Sequence, residues 1–228
     1  MGAFYFSFIP PIASCRASEA SVCLAKVYSL LMLSPTAQMT AIESVAGRTP
    51  ALQRMRFTPE MFHRLGELGI LNDETRYELI EGDIYPMTPE GAEYAALAYR
   101  LMERRSQEWH VRAEKPLRLG ESEVIPDLAI VPGRPSDYLV RHPDTALLVI
   151  EIAHSSLPRD RLLKLPLYAR AGVPEYWIVN LAERQVEVYQ TPAGDSYQER
   201  QVYTAGATLA PLFAPDWTFA VYDLLHCA

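Results

Sequence analysis

Cysteine is scarce: Cys15, Cys23 and Cys227 are the only three in 228 residues. They are too few and too scattered to staple a small fold or to hold zinc, so a disulfide scaffold and a zinc-ribbon module are both set aside. A reducing, cytoplasmic location is the simplest expectation. Positive charge is also short, with 21 Lys and Arg against 28 Asp and Glu and a formal net charge of −7. That balance argues against a broadly basic surface wrapped by nucleic acid, since phosphate backbones are held by clustered Lys and Arg. It leaves room for local nucleic-acid chemistry, because an acidic metal site itself contributes negative charge until its cation binds. Long apolar runs are missing as well. The stretch from Ala20 to Leu33 leans apolar, but Glu19 and Lys26 interrupt it and it is too short to span a bilayer. A secretory leader is disfavoured, because Arg16 follows the first apolar block rather than preceding it. No internal repeat and no low-complexity tract is present.

What is there suits one sizeable α/β core with an appendage. Residues 1–50 carry five charges (Arg16, Glu19, Lys26, Glu43 and Arg48) and no sustained apolar period. They are expected to be a disordered extension or an over-extended start, with Met39 as the true first residue. The folded domain is expected over residues 55–226. Thr58-Pro59-Glu60 opens a helix: Thr caps, Pro fits the first turn, and Glu suits the positive end of the dipole. Phe62, Leu65 and Leu68 follow at helical spacing and Gly69 stops the run. Arg76–Met87 alternates on both sides of Glu-Gly-Asp and predicts a β-hairpin.

A second helix is expected from Pro89 to about Trp109, then strands near Val111, over Val124–Val131 and over Ala146–Ala153. Pro158–Ala171 predicts a helix that Pro166 kinks or shortens, with Gly172 as its stop. Glu175–Asn180, Gln185–Tyr189 and Ser196–Tyr203 read as consecutive strands. Helices interleaved with strands around a mixed central sheet give an α/β (α+β) class.

The chemistry lies in acids placed where acids are costly. Glu151 interrupts the apolar run Ala146–Ala153, and Asp127 interrupts Val124–Val131. A buried carboxylate needs a cation partner, a metal or a proton. Two such acids on adjacent strands can converge on one divalent ion, and hard oxygen ligands suit Mg²⁺ or Mn²⁺. For each acid taken singly, the alternative is a strand-end carboxylate bonding local backbone. Lys164 stands among leucines on the helix that follows the Glu151 strand, where it can turn back over that strand's end. An ammonium there orients or activates an attacking water and stabilises charge developing at phosphorus; the bland reading is a Lys snorkelling along a helix flank. Of the two hairpin acids, Glu78 is favoured over Glu81 for the site, since Glu78 sits in the strand rather than the turn. Tyr176-Trp177 is read as core packing rather than base stacking. Arg159, Arg161 and Arg170 offer local positive charge for phosphates or simply a solvated helix face.

The chain resembles the Uma-type family of restriction-endonuclease-like proteins within the PD-(D/E)XK nuclease superfamily. Tyr77–Ile84, Pro126-Asp127-Leu128, Glu151–Ser156, Arg159-Asp160 and Lys164 through Val179 carry the resemblance, which spans roughly Phe57 to Leu225. It implies a restriction-endonuclease-like core and a metal held by Asp127 and Glu151, with Ile152 beside them counted as a ligand. It also implies Mg²⁺ or Mn²⁺ as cofactor and DNA as substrate; no membrane partner is expected, and a homodimer is compatible. The superfamily's usual lysine, two residues after the Glu, is replaced here by Ala153, and Lys164 takes its role. Tyr94 stands where the family often has His, and His154 where an acid is common; His154 either tunes the site or is an exposed loop residue. A Mg-dependent endodeoxyribonuclease is the leading expectation. Its alternatives are a catalytically weak or inactive nuclease-fold binding module and a hydrolase of another phosphoester.

Overall fold

The computed structural model describes residues 55–72, 74–87 and 106–226, all within the unit Met55–Ala228. The expectations for residues 1–50, for Met39 as the start, for Tyr94 and for most of the Pro89–Trp109 helix lie outside the described residues; Trp109 itself opens a strand.

Local chemistry sets the first elements. Helix α1 (Pro59–Glu67) begins where Thr58 accepts a hydrogen bond from the Met61 amide at 3.3 Å, and it stops before Gly69 at φ +68°. Strands β1 (Tyr77–Ile80) and β2 (Asp83–Pro86) pair antiparallel around a two-residue turn, Glu81-Gly82, with φ +50° and +83°. Positive φ at both positions is the twist-matched hairpin turn. Glycine is required at the second for space too, since a Cβ on Gly82 would stand 2.5 Å from the Arg56 Cβ.

The run predicted as one strand over Val124–Val131 is two. Strands β4 (Leu117–Leu119) and β5 (Ser122–Val124) form a hairpin, and β6 (Leu128–Pro132) begins after a break at Ile125-Pro126-Asp127. Pro126 has no amide to give a ladder. The break moves the chain from one sheet to another. Strand β5 joins a four-stranded antiparallel sheet, β2-β1-β5-β4, whereas β6 joins a six-stranded one. That larger sheet runs β10-β9-β8-β7-β6-β3, with β3 (Trp109–Ala113), β7 (Leu148–Ala153), β8 (Glu175–Asn180), β9 (Gln185–Ala193) and β10 (Ser196–Thr204). Every pair in it is antiparallel except β7–β8. A parallel pair needs a crossover, supplied by the helical segment 157–170. The mixed α+β class expected from the sequence is the one observed.

The crossover is not one α-helix. A short α2 (Leu157–Arg159) leads into a π-helical segment (Asp160–Lys164) and then α3 (Leu165–Arg170), with Pro166 in the first turn of α3. The Leu165 amide reaches back five residues to the Asp160 carbonyl. Proline at 166 cannot donate to residue 162, and its ring would clash with that carbonyl. The widened turn just before it accommodates both, where a kink or a shortened helix was expected. Such π turns gather at functional sites.

One face of the large sheet packs Ala129, Val131, Val149, Ala153, Tyr176 and Ile178 with the crossover's Leu167 and Tyr168 and with the small sheet's Leu117, Leu119 and Val124. Its other face is covered by the C-terminal stretch with β11 (Thr208–Leu209), β12 (Phe219–Ala220) and α4 (Val221–Leu225), where Trp217 stacks on Trp109 with centroids 5.0 Å apart. Tyr176 and Trp177 are core residues, as predicted, and the structure sets them on opposite faces of the sheet. Among the described residues no helix is long and apolar enough to cross a membrane.

Candidate active site

Three predicted acids and the predicted lysine come together where the two sheets meet the crossover. Strands β6 and β7 pair Leu128 with Ile150, and one further step of that antiparallel register sets Asp127 opposite Glu151. Residues paired this way share a face, and here it is the face covered by the crossover. Asp127 Oδ2 accepts from the Ile152 amide at 2.5 Å, which anchors the carboxylate at the strand end. Glu78 arrives from the small sheet, and its Oε1 accepts from the Ile125 amide at 2.9 Å. The break at Pro126 thus ties the acid of one sheet to the chain entering the other. Glu81, by contrast, lies at the turn and pairs with Arg170 at the surface, so Glu78 is the inward acid of the hairpin.

Lys164 is 3% exposed, and its Nζ lies 2.9 Å from Glu151 Oε1 and 3.0 Å from Glu78 Oε1. It is not a snorkelling surface lysine. Burial works against its charge, but the carboxylates of Glu151, Glu78, Asp160 and Asp127 outweigh it and hold the ammonium well above its ordinary range. Glu151, 2% exposed, is pushed well above the usual carboxylate range by burial. Lys164 opposes that shift, while Asp127, Asp160 and Glu78 add to it. The four acids outnumber the nearby cations Lys164 and Arg159, the latter with its Nη1 3.9 Å from Glu78 Oε2. Glu78 Oε2 is buried and accepts no hydrogen bond among the described residues.

Two members were not singled out from sequence. Tyr168 donates its hydroxyl to Glu151 Oε1 at 2.8 Å, and burial pushes its own pKa well above the usual phenol value. Asp160 is 2% exposed and accepts from the Ser156 hydroxyl at 2.7 Å, with burial pushing its carboxyl up. Both were legible as polar residues four before and four after Lys164 on one helical run, the spacing that puts side chains on a shared face. His154 is exposed in the loop after β7, and Ala153 is buried in the core.

The donor chemistry suits a hard divalent cation: carboxylate oxygens, of which Glu78 Oε2 accepts no hydrogen bond among the described residues, in a cluster with surplus negative charge. Ile152 has no ligating side-chain atom and could contribute only through its backbone carbonyl. Among the described residues no group of three or more His, Cys, Asp or Glu side chains is arranged to hold a metal. Magnesium does not need one, since it is commonly bound by one or two carboxylates plus waters and substrate oxygens.

A second buried acid lies two strands away. Glu187 on β9 is fully buried and accepts from Arg161 through Nε at 3.2 Å and also through Nη2. Tyr189 hydroxyl at 2.6 Å, Asn180 Nδ2 at 3.2 Å and Arg200 Nη2 at 3.2 Å complete its partners. Burial works against the charge, but the bonds from Arg161, Tyr189 and Asn180 win and lower it to about 2 from an ordinary 4.5. Val186-Glu187-Val188 carries the same signal as Glu151, an acid inside an apolar strand. A carboxylate depressed in the folded state contributes stability that is present above its unfolded value and is lost as pH falls through the folded one. The melting temperature of the wild type should therefore fall between pH 4.5 and about 2 more steeply than that of Glu187→Gln. Parallel curves over that window would deny Glu187 this role.

Comparison with known proteins agrees with this architecture. A family model described as "Uma2: Putative restriction endonuclease" matches residues 59–222. A crystal structure of a "putative nuclease belonging to DUF820" from Anabaena variabilis is similar in fold, with a TM-score of 0.60 at 19% identity. The match covers 75% of this chain and 98% of that one. No curated protein matches this chain.

Proposed function

The chain belongs to the Uma2 family, and from that membership we propose that it is a metal-dependent endonuclease that hydrolyses phosphodiester bonds of DNA in the cytoplasm. The observation that carries the reading is the meeting of Glu151 and Glu78, from two sheets, on one buried ammonium at 2.9 and 3.0 Å, with Asp127 set opposite Glu151 by the strand register. Asp127 and Glu151, with the Ile152 carbonyl, would hold Mg²⁺ or Mn²⁺. When bound, such an ion polarises a phosphoryl oxygen and lowers the pKa of a coordinated water.

The remaining work falls to the chain's own groups. Lys164, kept charged by its neighbours, is suited to donate hydrogen bonds and to stabilise negative charge growing on the phosphate, not to take a proton. Its position over Glu151 supports the reading that it replaces the lysine missing at Ala153. Tyr168, donating to the same Glu151 oxygen as Lys164, holds the carboxylate's rotamer and leaves its other oxygen out of these two bonds. A nuclease-fold binding module is the second reading, favoured by the absence of a ready three-acid ligand group among the described residues.

Nicking of supercoiled plasmid by the purified protein separates the two. Cleavage with Mg²⁺ or Mn²⁺ that chelator abolishes is expected; none under any of these conditions, from a folded protein, moves the assignment to the binding module. A companion measurement tests the ion alone. Binding to the folded state raises stability by mass action, about 2.7 kcal/mol at a hundredfold excess over Kd. Manganese should raise the melting temperature of the wild type and much less that of Asp127→Asn, whereas equal shifts would put the metal elsewhere.

A further inference from the structure

The nuclease reading leaves an electrostatic problem, which is how a chain of net charge −7 holds a polyanion at a site with surplus carboxylate. The three arginines of the crossover do not act as one patch. Arg170 pairs with Glu81, and Arg159 bonds the Pro86 carbonyl at 3.2 Å. Arg161 reaches across the sheet to Glu187, where Arg200 of edge strand β10 meets it.

Register places this pair beside the site. Glu151 is paired with Ile178, and Ile178 with Glu187, so both acids stand in one row on one face of the sheet. Two strand spacings separate them, about 10 Å. Arg161 lies three residues before Lys164 in the same π segment, so one turn of helix delivers a cation to each acid. The arginine side chains stay accessible, 33% exposed for Arg161 and 51% for Arg200, whereas the Glu187 carboxylate beneath them is fully buried. Arg200 is further fixed by its Nε bond to the Tyr189 hydroxyl at 3.2 Å, with its guanidinium 5.8 Å above the Tyr189 ring. Two guanidinium groups share the buried Glu187 carboxylate, and the exposed Glu183 carboxylate, 3.7 Å from Arg161 Nη2, offsets charge on the Arg161 side, which leaves the half-exposed Arg200 as the stronger contact of the two. A fork already immobilised loses little entropy when it binds an anion.

We propose that Arg161 and Arg200, positioned by Glu187, form a phosphate-binding rail that takes a backbone phosphate of the substrate strand other than the one cleaved. The rail rests on the nucleic-acid reading above. Glu187 is the positioning residue; the arginines make the contact.

The test is fluorescence anisotropy of a labelled DNA duplex with the full chain in chelator, over a series of salt concentrations. Removing one phosphate contact reduces the slope of log K against log salt by about 1. Arg200→Gln, a change at a half-exposed side chain, should weaken binding about five- to tenfold at low salt and lose that unit of slope. Arg200→Lys should restore the slope but not the full affinity, because an ammonium keeps the charge and loses the fork. Melting temperatures measured alongside identify any variant that fails to fold, and Arg161→Gln then reads the second half of the rail. Wild-type binding with unchanged affinity and slope in folded Arg200→Gln and Arg161→Gln would overturn the rail and leave the nuclease reading standing. Failure of the wild type to bind any duplex or single strand would overturn both.

Discussion

Lys164→Met is expected to lose about 3–5 kcal/mol of stability at neutral pH, together with nearly all cleavage, because breaking a buried ion pair strands its partner charges. Methionine fills much the same volume, so packing is conserved and the loss reads charge. With the ammonium gone, Glu151 Oε1 and Glu78 Oε1, now bridged at 2.9 and 3.0 Å, face each other in a buried space that also holds Asp127 and Asp160. The sequence offered Lys164 a role at the attacking water or a snorkelling place on a helix flank; the geometry adds a part in folding. A side chain 3% exposed among four acids cannot be silent in folding. Denaturant unfolding and plasmid nicking on the same preparation check both halves. Divalent metal should return part of the stability, since it supplies the missing positive charge, while cleavage stays lost by orders of magnitude. A variant as stable as wild type, or one that still cuts at the wild-type rate, would remove Lys164 from its place at the centre of the cluster.

Much of this site was legible because its signals are local. An acid inside an apolar strand is costly wherever the strand goes, and that marked Asp127 and Glu151 before any fold was known. Hairpin chemistry around Glu81-Gly82, together with strand position, separated Glu78 from Glu81. Other features depend on tertiary context. Periodicity cannot show that Val124 and Leu128 belong to different sheets, since both flanks of Pro126 are equally apolar; the proline was the one mark of the break. Pro166 announced a disturbance in the crossover, but a kink and a widened turn answer the same steric demand. The choice between them rests on Asp160 and Lys164 both being drawn inward. Arg159, Arg161 and Arg170 read alike in sequence and separate only when Glu78, Glu187 and Glu81 are placed in space.

Glu151→Gln should move stability and function in opposite directions. Glutamine keeps an oxygen that can accept from Lys164 and from Tyr168, so the bonds now at 2.9 and 2.8 Å have a partner. It removes a charge that burial and three neighbouring acids disfavour. Lys164 retains Glu78, and the cluster loses one of its surplus negative charges. Without metal, the variant is therefore expected to be as stable as wild type or more so, by about 1–2 kcal/mol, the scale on which relief of poorly compensated buried charge is felt. The same charge is what a divalent ion would be bound by. Manganese should raise the variant's melting temperature far less than that of wild type, and plasmid cleavage should fall by about two orders of magnitude or more, the scale of losing an electrostatic group at a reacting phosphate. Glu187→Gln is the control, an equally buried acid on the same row whose charge is well compensated by Arg161 and Arg200. That change should cost stability rather than add it. If Glu151→Gln instead destabilises the metal-free protein as Glu187→Gln does, Glu151 is an ordinary structural carboxylate satisfied by its lysine, and the metal-binding half of the proposed function goes with it.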